Sequence, residues 1–216
     1  MRILIEVPTY DGRISQATSE SLWRLDKCGH HVDYRPRTGY GCAMARNRIA
    51  ADTLNAGYDR VLMVDNDIAL PSDALGNLLE HDADIALGYY LNRYARGEHR
   101  FATLYKLGDG WEMYTGDELR AMRDGGTTAF AVKGGGLGCA LIDSTVFMRL
   151  DFPWFEWTDD GYIDRLREDV YACKDEFSSG GEDINFCNMA RDDGIEIIAD
   201  ARVACGHEFR QVIWPS

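Results

Sequence analysis

Proline and histidine are scarce in this chain, five of each in 216 residues, and no two cysteines stand in a C-x-x-C pair. The six cysteines (Cys28, Cys42, Cys139, Cys173, Cys187 and Cys205) are scattered, so neither a zinc site nor a disulfide framework is supported. Reduced thiols in a soluble, cytoplasmic protein are the expectation. No uninterrupted apolar run approaches the ~18 residues that cross a bilayer. The start, Met1-Arg2-Ile3-Leu4-Ile5-Glu6, reads as a strand with an early acid and not as a signal peptide. Basic side chains are also in deficit, 23 against 36 acidic, for a net charge of −13. That argues against a generic nucleic-acid surface, because backbone binding relies on Lys and Arg neutralising phosphates. What is present, 45% hydrophobic and 11% aromatic residues, is the composition of one globular domain over 1–216 with a sizeable core.

The charge is unevenly spread. Residues 1–50 carry eight basic and five acidic side chains, whereas residues 151–200 carry four and fifteen. Tyr89, Tyr90, Arg93, Tyr94, Arg96 and Arg100 make a basic, aromatic strip, either a local polyanion contact or a solvated loop with snorkelling arginines. Hydrophobic spacing predicts alternating strands and helices. Strand 3–7 stops at Pro8, helix 15–28 is closed by Gly29, and a short strand covers 32–34. Helix 43–56 is closed by Gly57, strand 61–64 follows, then a helix from about 72 to 80 capped by Ser72, then strand 85–87. Such alternation predicts a mostly parallel sheet with helices on both faces, with ligands at the carboxyl ends of its strands.

The sharpest motif lies at one such end. Val61-Leu62-Met63-Val64 is a buried-strand run, and Asp65-Asn66-Asp67 follows it. Strand alternation would turn Asp65 and Asp67 one way and Asn66 the other. Two carboxylates there suit a hard divalent cation such as Mg²⁺ or Mn²⁺, although Asp and Asn also form ordinary turns. Farther on, Gly134-Gly135-Gly136-Leu137-Gly138 precedes strand 139–142. No Gly-Lys-Ser/Thr closes it, so it is not a phosphate loop; its glycines admit a flat ligand or bend a strand. Strands are also predicted over 101–106 and 128–133, joined by a polar stretch, and again over 195–198 and 202–205. Residues 144–150 make a short helix, and Asp151-Phe152-Pro153-Trp154-Phe155-Glu156-Trp157 is an aromatic loop, either core or a wall for a sugar or base. Gly180-Gly181-Glu182-Asp183-Ile184 opens a helix, where acids are favoured by the dipole and are also well placed as a general base. Gly206-His207 follows the last strand, and beside the D-x-D the histidine reads as a third metal ligand.

In this order the motifs resemble the GT-A fold glycosyltransferases, family-2-like and of the compact, phage-encoded type. The resemblance rests on Val7-Pro8-Thr9-Tyr10, Ala45-Arg46-Asn47, Asp65-Asn66-Asp67, Gly135-Gly136, Gly181-Glu182-Asp183 and Gly206-His207. It spans roughly residues 1–90 and 134–208 and implies a nucleotide-sugar-binding half, 1–90, and an acceptor-side half, 91–216.

The resemblance further implies metal-dependent transfer from a nucleoside-diphosphate sugar, a UDP-sugar, to an acceptor hydroxyl. Asp65, Asp67 and His207 would hold Mn²⁺ or Mg²⁺, which stabilises the departing diphosphate. Pro8, Thr9, Tyr10 and Asp11 would bind the nucleoside, with Tyr10 stacking on the base and Asp33 accepting a uracil N–H. Arg46 would face the diphosphate or lock Asp65, with Asn66, Gly135 and Gly136 completing the donor site. Asp183, with Glu182 second, would be the base of an inverting reaction. From the residues themselves, the strip of Arg93, Arg96 and Arg100 with its tyrosines and the aromatics Trp154, Phe155 and Trp157 would suit a hydroxymethylated pyrimidine in DNA as acceptor, with a glycan or small-molecule hydroxyl as the competitor; the alternative of another class is a non-catalytic nucleotide-sugar binding module.

Overall fold

The computed structural model of the protein describes residues 1–96, 99–157 and 181–208, without the side chains of 93–96 and 99. The elements run β1 (Arg2–Thr9), α1 (Gln16–Arg24), β2 (His31–Thr38), α2 (Cys42–Asn55), β3 (Arg60–Val64), β4 (Ile68–Ala69) and α3 (Ala74–Leu79). There follow β5 (Ile85–Tyr89), β6 (Leu91–Arg96), β7 (His99–Tyr105), β8 (Met113–Thr115), α4 (Gly116–Asp124), β9 (Ala129–Ala131) and β10 (Gly134–Gly135). β11 (Cys139–Asp143), α5 (Ser144–Arg149), α6 (Glu182–Asp192), β12 (Ile197–Ala204) and β13 (Gly206–His207) complete the described set.

The central sheet has the order β2-β1-β3-β11-β5-β12-β9. Five strands run one way, while β11 and β9 run against them. Alternation along the strands feeds two cores. Ile3, Ile5, Val7, Leu62 and Val64 pack on one face with Leu75 and Leu78 of α3. Leu4, Val61 and Met63 pack on the other with Ile49 and Ala50 of α2 and Phe147 of α5. All five β3 residues are buried, as the uninterrupted apolar run requires.

Several boundaries differ from the sequence reading. β2 runs to Thr38 instead of ending at 34, because Pro36 sits in an edge strand where a missing N–H is tolerated. Arg37 just beyond it donates to the fully buried Glu6 at 2.9 and 2.6 Å, compensating a charge that could not otherwise stay in the core. α1 begins after its N-cap Ser15 but stops at Arg24, since Leu25 turns extended. Ser72 does not cap α3; Asp73 holds that position, without a side-chain bond. The two strands predicted near 195–205 form one, β12, with an irregularity between Ala199 and Ala204. The polar stretch before β9 contains α4, entered through a capping box in which Thr115 and Glu118 satisfy each other's backbone N–H groups. Thr115→Ala should remove about 1 kcal/mol of stability, read as a lower urea midpoint with an unchanged slope.

Candidate functional site

The carboxyl ends of β1, β3, β5 and β12 and the start of β11 share one rim of the sheet. The D-x-D lies there, in a turn closed by the Ile68 N–H donating to the Asp65 carbonyl. The turn, and not strand alternation, separates the three side chains. Asp65 faces α2, where Arg46 donates to it at 2.9 Å. Asn66 donates to the Arg13 carbonyl at 2.9 Å and so ties the loop after β1 to the D-x-D. Asp67 faces β13, with its carboxylate 3.6 Å from His207 Nε2.

Arg46 is the centre of a buried ion cluster. Its other terminal nitrogen donates to Glu182 at 2.5 Å, and the guanidinium is 3% exposed. One arginine thereby joins α2, the end of β3 and the start of α6. Its Nε, also buried, has no hydrogen-bond partner among the described residues. Glu182 is buried and bonded to Arg46. Asp183, next to it, is less enclosed; its Oδ1 accepts the Ile184 N–H at 2.8 Å, a donor it shares with the Gly181 carbonyl at 3.1 Å. Burial pushes the Asp183 carboxyl up from the ordinary aspartate value, with Arg46 opposing and Glu182 reinforcing the shift.

His207 is held from two sides. Its Nδ1 lies 2.8 Å from the Leu91 carbonyl, and a carbonyl only accepts, so Nδ1 carries the proton there. In the neutral ring Nε2 then presents its lone pair toward Asp67. Tyr90 packs edge-on against the imidazole, ring centroids 5.2 Å apart. The Tyr90 hydroxyl accepts the Gly138 N–H at 3.2 Å, and burial, then Asp65, raises its pKa well above the usual value.

This explains the glycines differently from the sequence reading. A Cβ at Gly136 would come within 2.5 Å of the Tyr90 hydroxyl, and one at Gly135 within 2.7 Å of the Thr103 carbonyl. A Cβ at Gly138 would meet Tyr90 at 2.7 Å and Asp65 Oδ2 at 2.8 Å. Gly135 and Gly136 admit β7 and Tyr90 to this backbone.

The remaining predicted residues divide. Pro8 and Thr9 are buried at the end of β1, and Thr9 donates to the Arg13 carbonyl at 2.9 Å. Asp11 accepts the Arg13 N–H at 3.1 Å and shapes its own loop. Tyr10 is 78% exposed beside that rim. Asp33 is misplaced by the sequence reading: with β2 extended, it pairs in register with Leu4, toward the opposite edge. There its carboxylate accepts the Tyr58 hydroxyl at 2.6 Å, which holds its pKa below the usual range. Trp154 and Phe155 are buried, so of the loop's aromatic side chains only Phe152 and Trp157 are exposed. The side chains of Arg93 and Arg96, and Gly180, lie outside the described residues.

Among the described residues no three of His, Cys, Asp and Glu are grouped closely enough to hold a metal. Of the predicted set, the structure pairs Asp67 with His207 and turns Asp65 to Arg46. Sequence reading missed Tyr90 as a support of His207, and Asn47 as the clamp of the aromatic loop. Asn47 donates to the Phe155 carbonyl at 2.6 Å and accepts from the Trp154 and Phe155 N–H groups at 3.0 and 3.2 Å.

Comparison with protein-family models finds no match, and no curated protein matches the sequence. Among solved structures the fold is similar to that of A197 from STIV, which is 17% identical with a TM-score of 0.60 over 97% of this chain and 87% of that one. It is also similar to GalNAc-T7, solved with UDP, GalNAc and Mn²⁺, at 12% identity and a TM-score of 0.59. That likeness covers 97% of this chain but 43% of GalNAc-T7, so the chain spans under half of its length. At these identities the likenesses show the fold alone, and the fold is the GT-A type of α/β sheet.

Arg46→Met leaves two carboxylates facing an apolar side chain, at a cost of about 3–5 kcal/mol. Urea denaturation should show that loss, and adding Glu182→Gln should recover a substantial part of it.

Proposed function

We propose that the protein is a glycosyltransferase that moves a sugar from a nucleoside-diphosphate sugar, a UDP-sugar, to an acceptor hydroxyl with inversion. The observation that carries this reading is the meeting of Asp65, Asp67, Glu182, Asp183 and His207 at one rim of a GT-A type sheet. In this reading residues 1–90 bind the donor and residues 91–216 serve the acceptor.

A divalent metal fits two of the three predicted ligands. Asp67 offers a carboxylate oxygen and His207 a lone pair, turned toward each other at 3.6 Å. Two protein donors suit Mn²⁺ or Mg²⁺ bound together with substrate phosphates and water. When bound, the ion supplies Lewis-acid stabilisation of the departing diphosphate.

The chain's own residues then divide the work. The Thr9–Arg13 loop, fastened by Asn66, holds the nucleoside, and Tyr10 stacks on its base. Arg46 locks Asp65 and Glu182, leaving Asp65 to meet the ribose side of the donor. Asp183 takes the proton of the acceptor hydroxyl as that oxygen bonds to the anomeric carbon. The bond from that carbon to the diphosphate oxygen breaks, and the nucleoside diphosphate leaves with the electron pair. A hydroxymethylated pyrimidine in DNA has less support as acceptor than a glycan, because Trp154 and Phe155 belong to the core.

Calorimetric titration with UDP should give binding that depends on Mn²⁺ and is lost in chelator; Asp67→Ala and His207→Ala should lose that Mn²⁺-dependent binding with little change in melting temperature. Chelator-insensitive UDP binding would sink the metal assignment. Release of nucleoside diphosphate from nucleotide sugars separates transfer from a silent binding module.

Asp183 must be ionised to act as base, so its raised pKa places the acid limb of the rate above the ordinary aspartate range of about 3.9. The same shift means the folded state disfavours the ionised form, so its penalty is fully present at neutral pH and disappears as pH falls through the raised value. Asp183→Asn should therefore melt higher than the parent protein at pH 7 while transfer falls about a hundredfold or more.

A further inference from the structure

A cleft of about 550 Å³ lies between the outer face of α2 and the loop of residues 152–157. Ala43, Met44 and Ala51 form one side, and Phe152, Pro153 and Trp157 the other. Phe152, Trp157 and Met44 are 71%, 65% and 57% exposed. Three large apolar side chains around one opening need a reason, since such surface is costly to leave in water.

The loop is not loosely placed. Asn47 fastens it to α2 through Trp154 and Phe155, and Asn185 of α6 donates to the Glu156 carbonyl at 2.8 Å. The cleft also adjoins the candidate base. A Cβ on Gly181 would lie 3.5 Å from Trp157 Cη2 and 2.9 Å from Asp183 Oδ1, which puts the indole and the carboxylate around one point. Glu156 brings a carboxylate to the cleft, and the Arg48 guanidinium lies over the Tyr40 ring, 5.1 Å from its centroid. Glu156 and Arg48 thus line the cleft together, one charge of each sign, and Asp183 lies beyond Trp157 around Gly181, so the wall offers a phosphate-bearing acceptor no net positive charge.

We infer that this cleft is the acceptor subsite and takes a neutral pyranose ring stacked on Trp157. The inference rests on the glycosyl-transfer reading and deepens it. A pyranose has one apolar C–H face for the indole and an edge of hydroxyls for carboxylate acceptors, which is the mixture this cleft offers. A ring seated there puts a hydroxyl within reach of Asp183.

Saturation-transfer NMR on the full chain, with methyl glycosides of glucose, galactose, mannose and N-acetylglucosamine, tests it. At least one should receive saturation, strongest at the C–H protons of one ring face. Trp157→Ala should weaken that binding about tenfold, or about 1.4 kcal/mol, and Trp157→Phe should restore most of it. Melting curves serve as the folding control for both variants. No transfer to any of the four, unchanged affinity in folded Trp157→Ala, or binding of a short oligonucleotide in their place would each overturn the assignment. UDP titration of the parent protein in Mn²⁺ runs alongside. UDP binding without pyranoside binding defeats this inference and leaves the transfer reading standing. Pyranoside binding at Trp157 without UDP binding or donor turnover overturns the acceptor role together with the transfer reading.

Discussion

A guanidinium removed from water is the constraint around which this rim is organised. Arg46 cannot lose its proton, so burying it obliges the fold to deliver carboxylates, and it delivers two from different halves of the chain. Asp65 comes from the end of β3 and Glu182 from the start of α6, 136 positions away from the arginine. Once both are bound, the entry of α6 is fixed against the sheet, and Asp183 is fixed with it. A carboxylate on a helix start is then more than a favourable dipole contact, because its position relative to the D-x-D is set by an ion cluster that tolerates little displacement.

A second constraint is steric and runs through Tyr90. Its ring fills the space between the 136–138 backbone and His207, which works only because two glycines offer no Cβ. The same ring, with the Leu91 carbonyl, keeps the imidazole turned toward Asp67. Packing and site geometry are one arrangement here: the glycines make room for the tyrosine, and the tyrosine orients the histidine.

The parts legible in the sequence are those whose signal is local. The run 61–64, the glycine stops and the acids at strand and helix ends each announce themselves within a few residues, and they suffice for the sheet and for the strand and helix ends that carry Asp65, Asp67, Asp183 and His207. The parts that were not legible depend on distant partners. Nothing near Gly138 indicates a tyrosine 48 positions away, and nothing near Arg37 indicates that Glu6 is buried beneath it. Asp33 was assigned to the rim because β2 looked short; its true length follows from pairing with β1 through Thr38. α4 is different, since its Thr115–Glu118 capping box is a local signal, set in a stretch with too few apolar residues to show a helical period.

Charge accounting at the rim links the fold to the proposed chemistry. Asp65 and Glu182 share one arginine, Asp183 is desolvated beside them, and Asp67 faces His207, so four carboxylates stand against Arg46 and one imidazole. The named side chains therefore sum to an acidic surface, and a diphosphate arriving alone would add to it. Unit charges 4 Å apart interact by about 4 kcal/mol at an effective dielectric of 20, so even one unbalanced contact of that kind would cost about a thousandfold in affinity. A donor that enters together with a divalent cation reverses the sign of that term. In the proposed reaction the Asp67–His207 pair is where such a cation would be held, because Arg46 already occupies Asp65 and Glu182.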